Sequence, residues 1–139
     1  MVVSISSHAI APAVVLRGEG AWAEALSKIS ALCSRHLLLG LSQATSSLRA
    51  GLASDLIQSA VTPQLAELRY DCCEEDLQRL ASEAADCDAV LAAGGGKVLD
   101  AGKLLAHRLQ LPCITVPLSA ATCARWTALA QLYSLHGAV

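Results

Sequence analysis

The sequence predicts an α/β fold, namely a doubly wound, mostly parallel sheet with helices on both faces. Short apolar runs alternate along the chain with longer segments whose apolar residues recur at helical spacing. Short strands separated by helices in this way are typical of a parallel sheet that is covered on both sides. With 139 residues, of which 54% are hydrophobic, the chain fits one domain, residues 1–139.

Five strands are predicted from short apolar or alternating runs, most of which end at a glycine or a proline. They are Ala13–Arg17, His36–Leu39, Leu65–Tyr70, Ala89–Ala93 and Cys113–Val116. Four helices are predicted between them from apolar residues three or four positions apart. They are Ala21–Ser34, Ser42–Val61, Glu74–Ala85 and Val98–Leu109. Thr62-Pro63 is expected to break the second helix, and Asp71 to cap the third.

Composition and charge exclude several classes of function. The net charge is −2 and the chain has no basic cluster, which argues against a nucleic-acid partner. No apolar stretch reaches the roughly 20 residues of a membrane span, and the N-terminus lacks the charged start of a signal peptide. The six cysteines form no C-x-x-C pair and the four histidines are scattered, so we expect a reducing cytoplasm and no metal site.

A glycine-rich turn carries the main functional signal. The apolar run to Ala93 ends in Gly94-Gly95-Gly96 and continues directly into a predicted helix. Unpaired N–H groups and the positive end of the helix dipole favour an anion there, and the missing β-carbons allow close approach. Lys97 and Lys103 add positive charge, so this turn is a candidate phosphate or dinucleotide site. The alternative is a flexible strand–helix turn without a ligand.

Neither common phosphate motif fits this turn. In a P-loop the position of the first glycine would fall on Lys97, and Gly102-Lys103 is followed by Leu104. The dinucleotide fingerprint G-x-G-x-x-G fails at Leu99. Ligands of such sheets bind at the carboxyl ends of strands, beside a switch in strand order. The glycine turn and the loop from Pro117 to Cys123 both follow strand ends, so they are expected to line one crevice.

Three motifs in order resemble one family. The run from Gly94 to Lys103 resembles the G-G-G-K-x-x-D-x-x-K signature of the iron-containing alcohol dehydrogenase and glycerol dehydrogenase superfamily. Val116-Pro117-Leu118-Ser119-Ala120-Ala121-Thr122 resembles its V-P-T-x-A-S-T loop, and the segment from Asp71 to Leu77 resembles its G-E-C-[ST]-x-E-E-I segment. The resemblance implies the N-terminal nucleotide-binding domain of an NAD(P)-dependent, metal-assisted dehydrogenase, with a Rossmann-like, dehydroquinate synthase-like fold.

The resemblance also implies which residues contact the cofactor. These are Gly94, Gly95, Gly96, Lys97, Val98, Asp100, Lys103, Leu118, Ser119, Ala121, Thr127, Leu129 and Tyr133. Asp100 and Lys103 have a second interpretation, a mutual ion pair three residues apart on the helix. Cys123 and Trp126 occupy substrate positions, and their alternatives are a small apolar loop residue and a core residue.

Two differences from the family motifs indicate which branch of the family this chain resembles. Cys123 stands where glycerol dehydrogenases carry a substrate-contacting Asp, and Leu118 replaces the Thr of the V-P-T. The run Thr122-Cys123-Ala124-Arg125-Trp126-Thr127-Ala128-Leu129 resembles T-C-A-x-W-T-x-L of the hydroxycarboxylate dehydrogenase branch, which reduces small 2-oxo acids.

The family's metal ligands come from a C-terminal helical domain, and the given sequence stops at Val139. The expectation is a truncated gene, a cleavage product or a single domain that binds no zinc or iron itself. An exposed former domain interface predicts a homo-oligomer.

The cofactor preference rests on charge. Leu39 to Arg49 contains no Asp or Glu, the residue type that holds the ribose 2′-hydroxyl of NAD after a strand, and Arg49 is the nearest cation. These observations favour NADP.

Two rival functions remain: a non-catalytic binding or assembly module, and a dehydroquinate synthase-like domain with a phosphate ligand.

Overall fold

The computed structural model describes residues 14–16, 18–40, 46–69 and 73–117. Four helices and four strands alternate over this part of the chain. The helices are α1 (Ala21–Leu32), α2 (Ser46–Gln58), α3 (Glu74–Glu83) and α4 (Gly96–Leu109). The strands are β1 (Arg35–Gly40), β2 (Thr62–Glu67), β3 (Ala89–Gly94) and β4 (Cys113–Pro117).

The strands form one parallel sheet in the order β2-β1-β3-β4. From β1 the chain moves outward to β2, and then crosses back over β1 to add β3 and β4 on the other side. The strand order therefore reverses between β1 and β3, the two central strands. This is the predicted doubly wound architecture, and the ligand crevices of such sheets lie where the strand order reverses, which here is at the carboxyl ends of β1 and β3.

Alternating side chains of the central strands fill two separate cores, because successive residues of a strand point to opposite faces. Leu37 and Leu39 pack with α3 and α4 in one apolar cluster. Leu38 packs with α1 and α2 in the other. Trp22 of α1 donates its indole N–H to Asp55 of α2 at 2.9 Å, which fixes the two helices on their shared face.

Helix α4 lies very close to β3 at one point. A β-carbon placed on Gly102 would be 2.4 Å from the β-carbon of Ala92, much closer than atoms approach. Only glycine at this position lets α4 lie this deep against the sheet, and its N-terminus is thereby fixed relative to the end of β3.

Two parts of the predicted element pattern are wrong. Of the predicted strand Ala13–Arg17, the structure describes Val14, Val15 and Leu16, and none of them is in a strand. Val14 and Val15 are 62% and 44% exposed, so no neighbouring strand or core stabilises an extended run there.

Thr62-Pro63 does not break a helix but begins β2, since α2 has already ended at Gln58. Ala60 makes that reversal with a left-handed backbone, φ 62°. Pro63 is tolerated because β2 lies at the edge of the described sheet.

Cys73 occupies the N-cap position of α3 and makes no side-chain cap bond. Asp71, which is predicted to cap this helix, lies outside the described residues. Asp76 of the first turn instead reaches back and accepts a hydrogen bond from the Arg69 N–H at 2.8 Å. No helix in the described ranges is long and apolar enough to cross a membrane.

Candidate functional site

The candidate site lies at the carboxyl edge of the sheet, where the two central strands end in glycines. β1 ends at Gly40 and β3 ends at Gly94, and the strand order reverses between them. The chain leaves β3 through Gly95 and enters α4 at Gly96 without an intervening loop. The strand, the turn and the helix N-terminus predicted from the sequence are therefore present at the switch point.

The turn itself is tightly built. Gly94 is buried, and a β-carbon on it would be only 3.0 Å from the β-carbon of Val98, so α4 turns directly over the strand end. Gly95 has an extended backbone, φ −87° and ψ −169°, and accepts the first helical hydrogen bond from the Leu99 N–H at 3.0 Å. This conformation suits any residue, so backbone strain does not require glycine at position 95.

The N-terminus of α4 has the electrostatics of an anion site. The first N–H groups of a helix have no earlier carbonyl within it to bind, and the dipole there is positive. The first turn of α4 contains no acidic residue, and Lys97 in it is exposed. His107 and Arg108 lie in the last turn, where positive side chains complement the negative end of the dipole.

Two further predicted cofactor residues lie one turn along α4. Lys103 Nζ and Asp100 Oδ1 are 3.5 Å apart, and both side chains are largely buried. The ion pair that was the second interpretation of these residues is therefore present. A contact of either side chain with a cofactor stays a prediction.

Val98 is fully buried in the core cluster of α3 and α4. Its side chain holds the turn in place against Gly94, so its backbone N–H is the group that faces the helix N-terminus. The prediction that Val98 contacts a cofactor is thus restricted to this N–H group.

The remaining predicted contacts fall in the loop after β4 and in the segment that follows it. Eight residues lie outside the part of the chain that the structure describes: Leu118, Ser119, Ala121, Cys123, Trp126, Thr127, Leu129 and Tyr133. What the structure does show is where this loop starts. Pro117 is the register partner of Gly94, so the loop begins beside the glycine turn, as expected for one crevice.

Sequence analysis missed the polar group at the neighbouring strand ends. Gly40 is the register partner of Glu67, the last residue of β2. Arg49 of α2 lies across both strand ends and is 7% exposed; its Nη1 donates to the Ala66 carbonyl oxygen at 3.2 Å, and its Nη2 lies 3.5 Å from Glu67 Oε1. No local sequence signal could have found the pairing of these two residues, because the predicted strand Leu65–Tyr70 does not end at Glu67. Glu67 lies at a strand end only in the observed β2, which pairs with β1.

The described residues do not fit a metal centre. No three His, Cys, Asp or Glu side chains of the described ranges converge as metal ligands. His36 lies at the start of β1, at the edge of the sheet opposite the glycine turn. Burial lowers its pKa, and its two ring nitrogens have no hydrogen-bond partner.

Comparison with known proteins gives a consistent result. A family model described as iron-containing alcohol dehydrogenase matches residues 12–138. An uncharacterized oxidoreductase of Synechocystis sp. is 43% identical over 139 residues, which cover 95% of this chain and 34% of the relative. Hydroxycarboxylate dehydrogenase A of Escherichia coli strain K12 is 49% identical over 70 residues, which cover 50% of this chain and 19% of that enzyme.

A solved structure shows the same fold. The alcohol dehydrogenase from Oenococcus oeni superposes with a TM-score of 0.78 at 17% identity, over 91% of this chain and 40% of that one. The chain spans about a third of the length of the Synechocystis relative, and the match to the solved structure covers less than half of that protein.

Proposed function

We propose, on the premise that this chain belongs to the iron-containing alcohol dehydrogenase family, that it is the NAD(P)-binding domain of a metal-assisted oxidoreductase. The substrate of the whole enzyme would be a small alcohol, a polyol, or a 2-hydroxy or 2-oxo acid. The family resemblance read from the three sequence motifs is confirmed by the match over residues 12–138. The activity itself is our inference from that membership and from the site.

One observation carries the proposal most directly. The glycine turn Gly94–Gly96 joins the end of a central strand to the N-terminus of α4, at the point where the strand order reverses. Doubly wound sheets bind phosphorylated ligands at this position. The residues present fit a dinucleotide, since the turn offers backbone N–H groups, a positive dipole and no side chain to block the approach.

Each part of the site then has a task in binding. The turn and the N–H groups of α4 hold the pyrophosphate, and the exposed Lys97 adds positive charge beside it. Gly102 and Val98 act indirectly, because their packing fixes α4 against β3 and keeps the turn in place. When bound, the nicotinamide supplies or accepts the hydride. The described residues would hold the pyrophosphate and so orient the dinucleotide.

The hydroxycarboxylate branch is our proposal for the substrate class. The identity with hydroxycarboxylate dehydrogenase A over half of this chain supports it. So does the run from Thr122 to Leu129, in which Cys123 and Trp126 are the proposed substrate residues. A small 2-oxo acid is therefore the substrate to test first with the whole enzyme.

The reducing cytoplasm is the proposed location. Four cysteines lie in the part of the chain that the structure describes, and all are free thiols: Cys33, Cys73, Cys87 and Cys113. Free thiols support a reducing compartment. Assembly as a homo-oligomer also remains a proposal.

The binding proposal is tested by Gly95→Val. The added side chain fills the space at the helix N-terminus, while the extended backbone at this position accepts valine without strain. We expect calorimetry to show no binding of NADP⁺ or NAD⁺ to the variant, and circular dichroism to show an unchanged fold. Unchanged nucleotide affinity in the folded variant would contradict the assignment.

The proposed preference for NADP is tested by titrating the unmodified chain with NADP⁺ and NAD⁺ side by side. Arg49 is a cation near the end of β1, and no acidic residue occurs between Leu39 and Arg49. We expect the tighter binding with NADP⁺, because the guanidinium attracts the 2′-phosphate. A clear preference for NAD⁺ would reject the charge argument.

A further inference from the structure

A buried arginine lies across the strand ends next to the glycine turn. A β-carbon on Gly40 would be 2.3 Å from Arg49 Cδ and 2.9 Å from its Nε, so the arginine side chain occupies the space that the glycine leaves open. The absence of a side chain at Gly40 therefore allows Arg49 to reach from α2 over the end of β1 to the end of β2.

The hydrogen bonding of this guanidinium is incomplete within the described residues. Arg49 Nε is buried and has no hydrogen-bond partner, Nη1 has a carbonyl oxygen at 3.2 Å, and Nη2 has only the distant Glu67 carboxylate at 3.5 Å. A buried cation is costly unless it is paired and well hydrogen-bonded. Since the Glu67 side chain is 50% exposed, the carboxylate is free to move away from the guanidinium.

The position matches the adenosine end of a dinucleotide. Glu67 is the register partner of Gly40, and the preceding residue of β1, Leu39, is the partner of Ala92 in β3. Two strand spacings, about 10 Å, therefore separate the end of β2 from the strand that enters the glycine turn. If the pyrophosphate lies at the N-terminus of α4, the adenosine ribose lies over Gly40 and its 2′ position faces Arg49 and Glu67.

We propose that Arg49 and Glu67 together select the group at the ribose 2′ position, an inference that rests on the proposed dinucleotide function. Arg49 binds the 2′-phosphate of NADP, and Glu67 swings outward to make room for it. Glu67 disfavours NADP, because its carboxylate repels the 2′-phosphate, and it favours NAD, because the carboxylate accepts a hydrogen bond from the 2′-hydroxyl.

The test is the affinity ratio for NADP⁺ and NAD⁺ in Glu67→Gln, measured by calorimetry on the full chain. Removing the carboxylate should raise the affinity for NADP⁺ about fivefold, the effect expected of one partly exposed charge. The affinity for NAD⁺ should stay the same or fall about twofold, since the amide oxygen of glutamine still accepts a hydrogen bond from the 2′-hydroxyl.

Glu83→Gln is the matched control. Glu83 also pairs with an arginine, Arg79, at 2.8 Å, but it lies on α3, and α3 packs on the face of the sheet opposite to α2. The substitution Glu83→Gln removes the same charge from the whole molecule. It should leave the affinities for NADP⁺ and NAD⁺ within about twofold, because charges at a distance are screened by salt.

Arg49→Lys gives a second, independent readout. Lysine keeps the charge but loses the planar fork, so the affinity for NADP⁺ should fall about tenfold while that for NAD⁺ stays within about twofold. Two results would show that Arg49 and Glu67 do not select the cofactor, even if Arg49→Lys fails to fold. One is an equal change of the NADP⁺/NAD⁺ affinity ratio in Glu67→Gln and Glu83→Gln, and the other is no change of that ratio in either variant. Failure of the unmodified chain to bind either nucleotide would contradict the proposed function itself, and the selection with it.

Discussion

His36 lies at the start of β1 with no exposed surface, and both of its ring nitrogens are without a hydrogen-bond partner. Burial lowers the pKa of this imidazole, which outweighs the opposite effect of the nearby Asp88 carboxylate. The folded protein therefore holds His36 neutral. A buried polar group without partners costs about 1–3 kcal/mol, so this residue weakens the fold.

The stability should fall as the pH drops below about 6.5. An unfolded chain takes up a proton at His36 near its ordinary pKa of 6.5, whereas the folded chain takes it up only at lower pH. His36→Leu removes this penalty and the orphaned nitrogens. We expect the free energy of unfolding of the variant to be about 1 kcal/mol higher at pH 7.5. Between pH 7 and 5.5 the variant should lose less of this free energy than the unmodified chain.

Urea denaturation of both proteins at several pH values measures both effects. A His36→Leu variant that is less stable and keeps the full pH dependence would show that His36 has a partner or a charge that this account lacks.

At the residue scale, the sequence predicted the glycine turn but not its charged neighbours. Gly94, Gly95 and Gly96 occur together, so a local pattern was enough to locate them. Arg49 was taken only as the nearest cation, yet it is buried and pairs with Glu67 from a separate strand. That partnership depends on strand order, which no local pattern contains.

At the scale of elements, types were predicted better than boundaries. Helix α1 begins at Ala21 as predicted and ends two residues earlier, at Leu32. Strand β2 lies about three residues before the predicted run Leu65–Tyr70. The difference arises because Thr62-Pro63 was predicted to end a helix, whereas it begins an edge strand. Tertiary pairing thus overrode the local signal of proline.

The close contact between α4 and β3 is tested by Gly102→Ala. The new β-carbon would be 2.4 Å from that of Ala92, so α4 must move away from the sheet. We expect a loss of about 1–3 kcal/mol in the free energy of unfolding, in spite of the better helix propensity of alanine.

Two further variants show whether this contact is the cause. Adding Ala92→Gly to Gly102→Ala removes the clash and should restore part of the stability. Gly51→Ala, in α2 with nothing within 4 Å of the new atom, should stabilise the chain by about 0.5–1 kcal/mol. A Gly102→Ala variant as stable as Gly51→Ala would mean that the helix and the strand are farther apart than described.

At the scale of the whole molecule, the sequence predicted the doubly wound class but not which strands are neighbours. Apolar strands between amphipathic helices indicated a parallel sheet, and the order β2-β1-β3-β4 confirms it. The order arises from the packing of α1 and α2 on one face and α3 and α4 on the other. It is this order that places Glu67, Gly40 and the glycine turn along one edge.

The 139-residue polypeptide by itself should show no measurable dehydrogenase activity with 2-oxo acids, glycerol or simple alcohols, with or without added zinc or iron. A metal site needs about three convergent ligands and an open position, and the described ranges bring no such set together. Self-association is expected as well, through apolar surface that includes Trp126 and Leu129 by the sequence prediction. Assays on sedimentation-defined species measure both, and metal-dependent turnover by a monomer would contradict them.

A dinucleotide phosphate is proposed to bind at the N-terminus of α4. This proposal is tested most directly by titrating the ¹⁵N-labelled chain with NADP⁺ and following each backbone amide by NMR. We expect the largest shifts at Gly95, Gly96, Lys97 and Val98, with a second group at Gly40 and Glu67. Shifts confined to the opposite edge of the sheet, around Ser34 and Asp88, or no saturable shifts at all, would contradict it.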